Sequence, residues 1–225
     1  GKYREAIEAL REAVRLEPGS PVAQRSLAWA LWSAGDADEA LTVLTTAIKL
    51  DPLNAESRQV LGLIYAKQER FDQADEQFEL AIRLHPYEEG GYLVYIESLL
   101  QRDDYVRAAR VYEAGIEKLP ASAQMLIELS GLYQMAPEPV LDYEQAVLYG
   151  ERAVELTGGR DLTALVTLAA AYGEMRRFEE AIRVLDEAIA IAQSAGNRGV
   201  LSTFGTYRHA FLKGKPLSEL TPQSP

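Results

Sequence analysis

RQVLGLIYAKQERFDQADEQFELAIRLHP, residues 58–86, places Leu61, Gly62 and Tyr65 on one stretch and Ala74, Phe78 and Ala81 on the next, and closes with Pro86. Each stretch carries apolar residues three and four apart, the period of one face of a helix. The two stretches therefore read as two amphipathic helices, and their pattern recurs along the chain. Pro18, Pro52, Pro86 and Pro120 lie 34 residues apart, as do Ala6, Ala40, Ala74 and Ala108. The same step relates Ala13, Ala47, Ala81 and Gly115, and also Leu27, Leu61, Tyr95 and Leu129. Two further ladders are Ala28, Gly62, Ile96, Ser130 and Leu31, Tyr65, Leu99, Tyr133. Six ladders in one register are a repeat and not chance.

The register slips by about four residues within MAPEPVLDY (135–143) and resumes at Ala146 and Ala153; a last unit carries Leu168, Ala169, Tyr172, Ala181 and Ala188. Small residues on the ladders let helix axes approach, and large ones fill the space left. SAGDAD (33–38) reads as a helix stop at Gly35 followed by an N-cap at Asp36. Asp51 precedes Pro52, which disfavours helix in the residue before it. The expected helices are 2–16, 21–34, 37–50, 55–68, 71–84, 89–102, 105–118, 122–134, 142–156, 162–175, 178–194 and 198–213.

The quoted stretch and its ladders resemble the tetratricopeptide repeat family over roughly residues 1–194. One departure is consistent: the slot that the family often fills with tryptophan holds Gln24, Arg58, Tyr92, Leu126 and Leu165. The resemblance implies an all-α fold, a right-handed superhelical solenoid of antiparallel helix pairs. Residues 1–20 then form the second half of a truncated repeat. Repeats follow at 21–54, 55–88, 89–122, 123–160 and 161–195. A C-terminal capping helix at 196–214 carries Val200, Phe204, Tyr207 and Phe211 on one stripe, and a tail at 215–225 reads as extended or disordered. Tyr3, Ile7, Leu10 and Val14 form a stripe suited to a preceding helix, so the chain is expected to be part of a longer protein, the alternative being a natural N-terminal capping helix.

The 225 residues include 48% hydrophobic and 25% charged residues, as in a protein with a real core. The formal net charge of −11 repels phosphate backbones, so no nucleic acid is expected as partner. No apolar run is long enough for a membrane span, and none is expected to insert. Without cysteine there is no disulfide, thiol nucleophile or Cys metal site, and nothing separates a cytoplasmic from a periplasmic location. The two histidines, His85 before Pro86 and His209 beside Arg208, read as structural. No HExxH, GxSxG, Walker loop or GxGxxG is present. Paired carboxylates such as Asp103-Asp104 and Glu179-Glu180 sit where they favour a helix dipole. The reading is a chain with no catalytic set, no metal and no cofactor.

The resemblance also implies that partners lie in a concave groove lined by the first helix of each repeat. Its slots hold Arg25, Gln59, Leu93, Ile127 and Val166; then Trp29, Leu63, Glu97, Gly131 and Ala170; then Trp32, Ala66, Leu100, Gln134 and Gly173. Arg25 and Lys67 are the obvious cations, and the asparagines of the carboxylate clamp found in some members are missing. Arg25, Trp29, Trp32, Gln59, Leu63, Lys67, Leu93, Glu97, Leu100 and Ile127 are thus the candidate binding residues for an apolar or amphipathic peptide or helix. Contact between neighbouring repeats explains Leu93, Leu100, Ile127 and Val166 equally well. Trp32 falls where an aromatic serves structure, whereas core packing does not require Trp29. The leading reading is a protein-binding scaffold. Two alternatives stand beside it: a substrate-recruiting or regulatory segment of a larger enzyme such as a glycosyltransferase, and a self-assembly module using the N-terminal helix face as a homo-oligomer contact.

Overall fold

A computed structural model describes residues 2–220. Among them the regular structure is helical: α1 (Lys2–Leu16), α2 (Pro21–Ala34), α3 (Ala37–Leu50), α4 (Ala55–Lys67), α5 (Phe71–Leu84), α6 (Glu89–Leu100), α7 (Tyr105–Lys118), α8 (Ala123–Met135), α9 (Tyr143–Leu156), α10 (Leu162–Glu174), α11 (Phe178–Ser194) and α12 (Arg198–Leu212). Each expected helix is present, with ends within two residues of the expected bounds. The helices form two compact units, one ending at Asp104 and one beginning at Tyr105.

In the first unit α2 packs on α3 and α4 on α5, with α1 against α2 and α6 against α4 and α5. The ladder residues Leu27, Ala28, Leu31, Ala40 and Ala47 are buried in its core together with Leu44. Phe78 is fully buried, and its ring lies 2.6 Å from where a Cβ on Gly62 would stand. Gly62 is therefore the residue that lets this ring rest on the α4 backbone. The ring also stacks on Tyr95, centroid to centroid 5.3 Å.

The slot that departs from the family pattern has a common role here. Gln24 Nε2 donates to the Pro18 carbonyl at 3.2 Å, Arg58 NH2 to that of Pro52 at 3.1 Å, and the Tyr92 hydroxyl to that of Pro86 at 3.0 Å. Three different side chains thus satisfy the same carbonyl in successive inter-repeat turns. The turn inside each repeat is equally regular. Gly35, Glu69 and Asp103, each 34 residues apart, adopt φ of 98°, 58° and 59°. Gly35 ends α2 as expected, but Asp36 makes no side-chain cap. Side-chain caps come instead from Ser20 and Asn54 in this unit and from Ser122, Asp142 and Asp161 in the other.

In the second unit α8 packs on α9 and α10 on α11, while α12 covers α11. Phe211 of α12 is buried over Gly173, whose missing Cβ leaves room for the ring, and lies 6.2 Å from the Phe178 ring. The tail departs from the extended reading. Pro216 is buried, residues 217–219 form a 3-10 turn, and Ser218 donates from N and Oγ to the Glu174 carboxylate at 2.9 and 2.7 Å. Residues 221–225 of the expected tail lie outside the described residues. The insertion at 135–143 tucks in Ala136 and Val140 while Met135 stands exposed.

Second-unit helices are also joined through neutral tyrosines. The hydroxyls of Tyr112, Tyr133 and Tyr172 donate to Glu128, Glu113 and Glu151 at 2.8, 2.7 and 2.5 Å. Burial, then the hydrogen bond to Glu151, pushes the Tyr172 phenol up to about 12; the same two causes raise Tyr112 and Tyr133. The folded state holds the neutral phenol, so these bonds stabilise fully below about pH 10, where a free tyrosine titrates, and are lost as pH rises through the folded values. A phenolate absorbance titration is expected to show Tyr172 ionising near 12 together with loss of helical circular dichroism. Tyr172→Phe should make that loss less steep.

Candidate functional site

One groove in the first unit gathers several of the expected residues. Its volume is about 640 Å³, and Arg25, Trp29, Gln59 and Leu63 line it. Helical periodicity explains the set: Arg25 and Trp29 lie one turn apart on α2, and Gln59 and Leu63 occupy the matching turn of α4. Trp29 is 46% exposed, and its ring sits 4.9 Å from that of Trp32 with the planes at 39°. Trp32 packs on the core cluster and does not line the groove. The pair thus divides its work: Trp32 fills structure and holds Trp29 at the surface.

Arg25 is placed as expected but is not a free cation. Its guanidinium donates to Asn54 Oδ1 at 3.1 Å and pairs with Glu56 at 2.6 Å. This removes the charge on which an anion-binding reading of the slot would rest. Lys67 stands exposed at the end of α4, outside the groove lining. On α6 the lining residue is Val94, whereas Leu93 and Leu100 are half-buried beside it and Glu97 is exposed, accepting from Gln101 at 3.4 Å.

Sequence reasoning assigned the groove to first helices only and so missed the wall built by α1, which contributes Tyr3, Ala6 and Leu10. The stripe on α1 was the available signal. Ile127, on α8 in the second unit, is half-buried. Val166 lines a smaller recess of about 250 Å³ in that unit with Leu162, Thr163, Val200 and Phe204. Gly173 is closed off by Phe211.

His85 ends α5 with Nδ1 3.2 Å from Glu88 Oε2, and His209 lies exposed in the last turn of α12. Among the described residues no group of three or more histidines and carboxylates could hold a metal ion. None of their helices is long and apolar enough to cross a membrane.

Family models described as tetratricopeptide repeat match residues 1–45, 25–89 and 162–195. Among curated proteins, human protein O-mannosyl-transferase TMTC1 is 27% identical over 160 residues, 69% of this chain and 18% of that protein. Cellulose synthase operon protein C of Xanthomonas axonopodis is 28% identical over 183 residues, 77% of this chain and 12% of that protein. The chain spans less than a fifth of the length of either relative. Among solved structures, yeast Tom70 superposes with a TM-score of 0.63 at 18% identity, covering 97% of this chain and 44% of that one. YrrB, described as having an unusual peptide-binding site, gives 0.56 at 20% identity, covering 83% and 93%. At these identities the two structures show the shared fold.

Proposed function

Because the chain belongs to the tetratricopeptide repeat family, whose members mediate protein–protein interactions, we propose that it is a binding module whose first-unit groove takes an apolar or amphipathic segment of a protein partner. The observation that carries this reading is the groove itself. Trp29, Leu63, Val60 and Val94 converge on about 640 Å³, and the large aromatic among them is half exposed with no core duty. Exposed aromatics that lose water on contact are the usual anchors of such interfaces. The neutralised Arg25–Glu56 pair suits an uncharged stretch of partner rather than a terminal carboxylate. YrrB, with its peptide-binding site, supports the same use of the fold.

The experiment captures partners on the intact chain, maps the bound segment by photo-crosslinking from position 63, and measures its affinity by calorimetry. Trp29→Ala is expected to cost about 2 kcal/mol of binding, roughly 30-fold, with unchanged circular dichroism. Leu53→Ser, at an exposed position outside the groove lining, should leave affinity unchanged. Equal losses in the two variants would sink the groove assignment.

A second reading is a substrate-recruiting or regulatory segment of a larger enzyme. It is favoured by the match to a protein named as an O-mannosyl-transferase over 69% of this chain. Deleting these repeats from the parent reading frame should then lower turnover of a protein substrate while leaving turnover of a small acceptor intact.

A further inference from the structure

The chain after α12 folds back on α10 and is fastened there by one carboxylate. Gly214 turns the backbone with φ of 67°, the Lys215 N–H donates to the Ala210 carbonyl at 3.0 Å, and Pro216 is buried. Ser218 then meets Glu174, the last residue of α10, with both of its donors: the N–H reaches Oε1 at 2.9 Å and the hydroxyl reaches Oε2 at 2.7 Å. Beside this contact Glu219 pairs with Arg176 at 3.4 Å. Residues 216–220 form a strap, and the Ser218–Glu174 contact is its clasp. None of the ion pairs among the described residues uses Glu174. Its negative charge, after burial, helps to raise the Tyr143 phenol of α9.

Two features suit the clasp to modification. Ser218 is exposed and lies outside the α-helices, so its segment lifts without unwinding one. Lys213 and Lys215, both exposed, stand five and three residues before it in KGKPLSE (213–219), cations that the acidic cleft of a serine kinase would hold. We propose that Ser218 is a phosphorylation site and that its phosphate opens the strap. The Ser218 Oγ attacks the γ-phosphorus of a nucleoside triphosphate held by a protein kinase. The Oγ–P bond forms, the bond from that phosphorus to the β,γ-bridging oxygen breaks, the hydroxyl proton passes to the base of the kinase, and a nucleoside diphosphate leaves. The donor that held Glu174 is replaced by a group carrying about −1.5 to −2 charges. That charge stands beside a carboxylate with no cation of its own, while Arg176 is already engaged by Glu219. Repulsion and the lost hydroxyl bond together release the clasp, uncovering the end of α10 and the site that buries Pro216.

The test has two parts. The intact chain is incubated with labelled adenosine triphosphate and a serine kinase selective for upstream cations, and peptide mass spectrometry is expected to find phosphate on Ser218. Separately, phosphoserine is installed at position 218 during synthesis of the intact chain, and amide hydrogen exchange of residues 214–220 is measured. In the parent sequence exchange should speed by at least about tenfold, as for loss of a hydrogen bond to a charged group. In Glu174→Arg, checked for helicity by circular dichroism, the phosphate meets a cation, so the same modification should slow exchange. This reversal of sign separates release by repulsion from mere loss of the hydroxyl bond. The proposal is overturned by any of three results: no phosphate on Ser218; exchange in the parent unchanged or slowed, the outcome if Arg176 captured the phosphate; or exchange speeded alike in the parent and in Glu174→Arg.

Discussion

Phe78→Ala is expected to lower the unfolding free energy by about 3–5 kcal/mol, the range for emptying a buried aromatic site, measured by urea denaturation. The ring is wholly enclosed, stacked on Tyr95 and pressed against the bare backbone of Gly62, so nothing nearby can relax into the space at no cost. The adjacent repeat makes a sharper test. The slots of Gly62 and Phe78 correspond there to Ala28 and Leu44, a small-plus-medium pair that is also fully buried. Gly62→Ala alone forces a methyl into the ring and should cost about 1–3 kcal/mol, as overpacking does. Phe78→Leu alone leaves a cavity. The double variant rebuilds the Ala28–Leu44 solution, and its loss should fall below the sum of the single losses by at least about 1 kcal/mol. Simple addition of the two would show that the repeats do not share this packing.

The second large effect concerns Asp75 and Arg102, an ion pair joining α5 to the turn after α6 with both side chains largely buried. The Arg102 guanidinium also sits 5.0 Å from the centroid of the Phe71 ring. Removing one partner takes the counter-ion from a largely buried charge, so Asp75→Ala or Arg102→Ala should destabilise by about 3–5 kcal/mol. The pair itself is worth far less than its loss suggests, because both ions were taken out of water. Asp75→Leu combined with Arg102→Met should therefore lie within about 1–2 kcal/mol of the parent chain. Thermal melts of the four proteins test this. A double variant as unstable as the singles would mean that the pair's hydrogen bonds, and not charge burial, dominate.

The helices were legible because the signals that make them recur at a fixed step. A stripe with period 3.6, a proline after α1, α3, α5 and α7 and small residues at the closest approaches repeat at 34 residues, so chance matches cancel. The intra-repeat turn was legible at Gly35, where glycine announces φ above zero, and was not at Glu69 or Asp103, which adopt the same conformation without it. The charge state of the groove was hidden for a different reason. Arg25 meets Asn54 and Glu56 only after α2 and α4 are packed side by side, a relation that linear spacing does not express. The wall from α1 was missed because the groove was assigned by helix order, whereas Tyr3, Ala6 and Leu10 of this second helix line the same space. The docking of Ser218 on Glu174 likewise depends on where α12 ends.

The turn carbonyls of Pro18, Pro52 and Pro86 carry one more consequence. They require a hydrogen-bond donor at a fixed reach and are indifferent to what else the donor brings: an amide at Gln24, a cation at Arg58, a phenol at Tyr92. Formal charge at that slot can therefore change by a whole unit without disturbing the joint between repeats. In a chain that carries a net −11, such a slot lets colloidal solubility drift or be engineered independently of the hinge geometry that holds the helices in line.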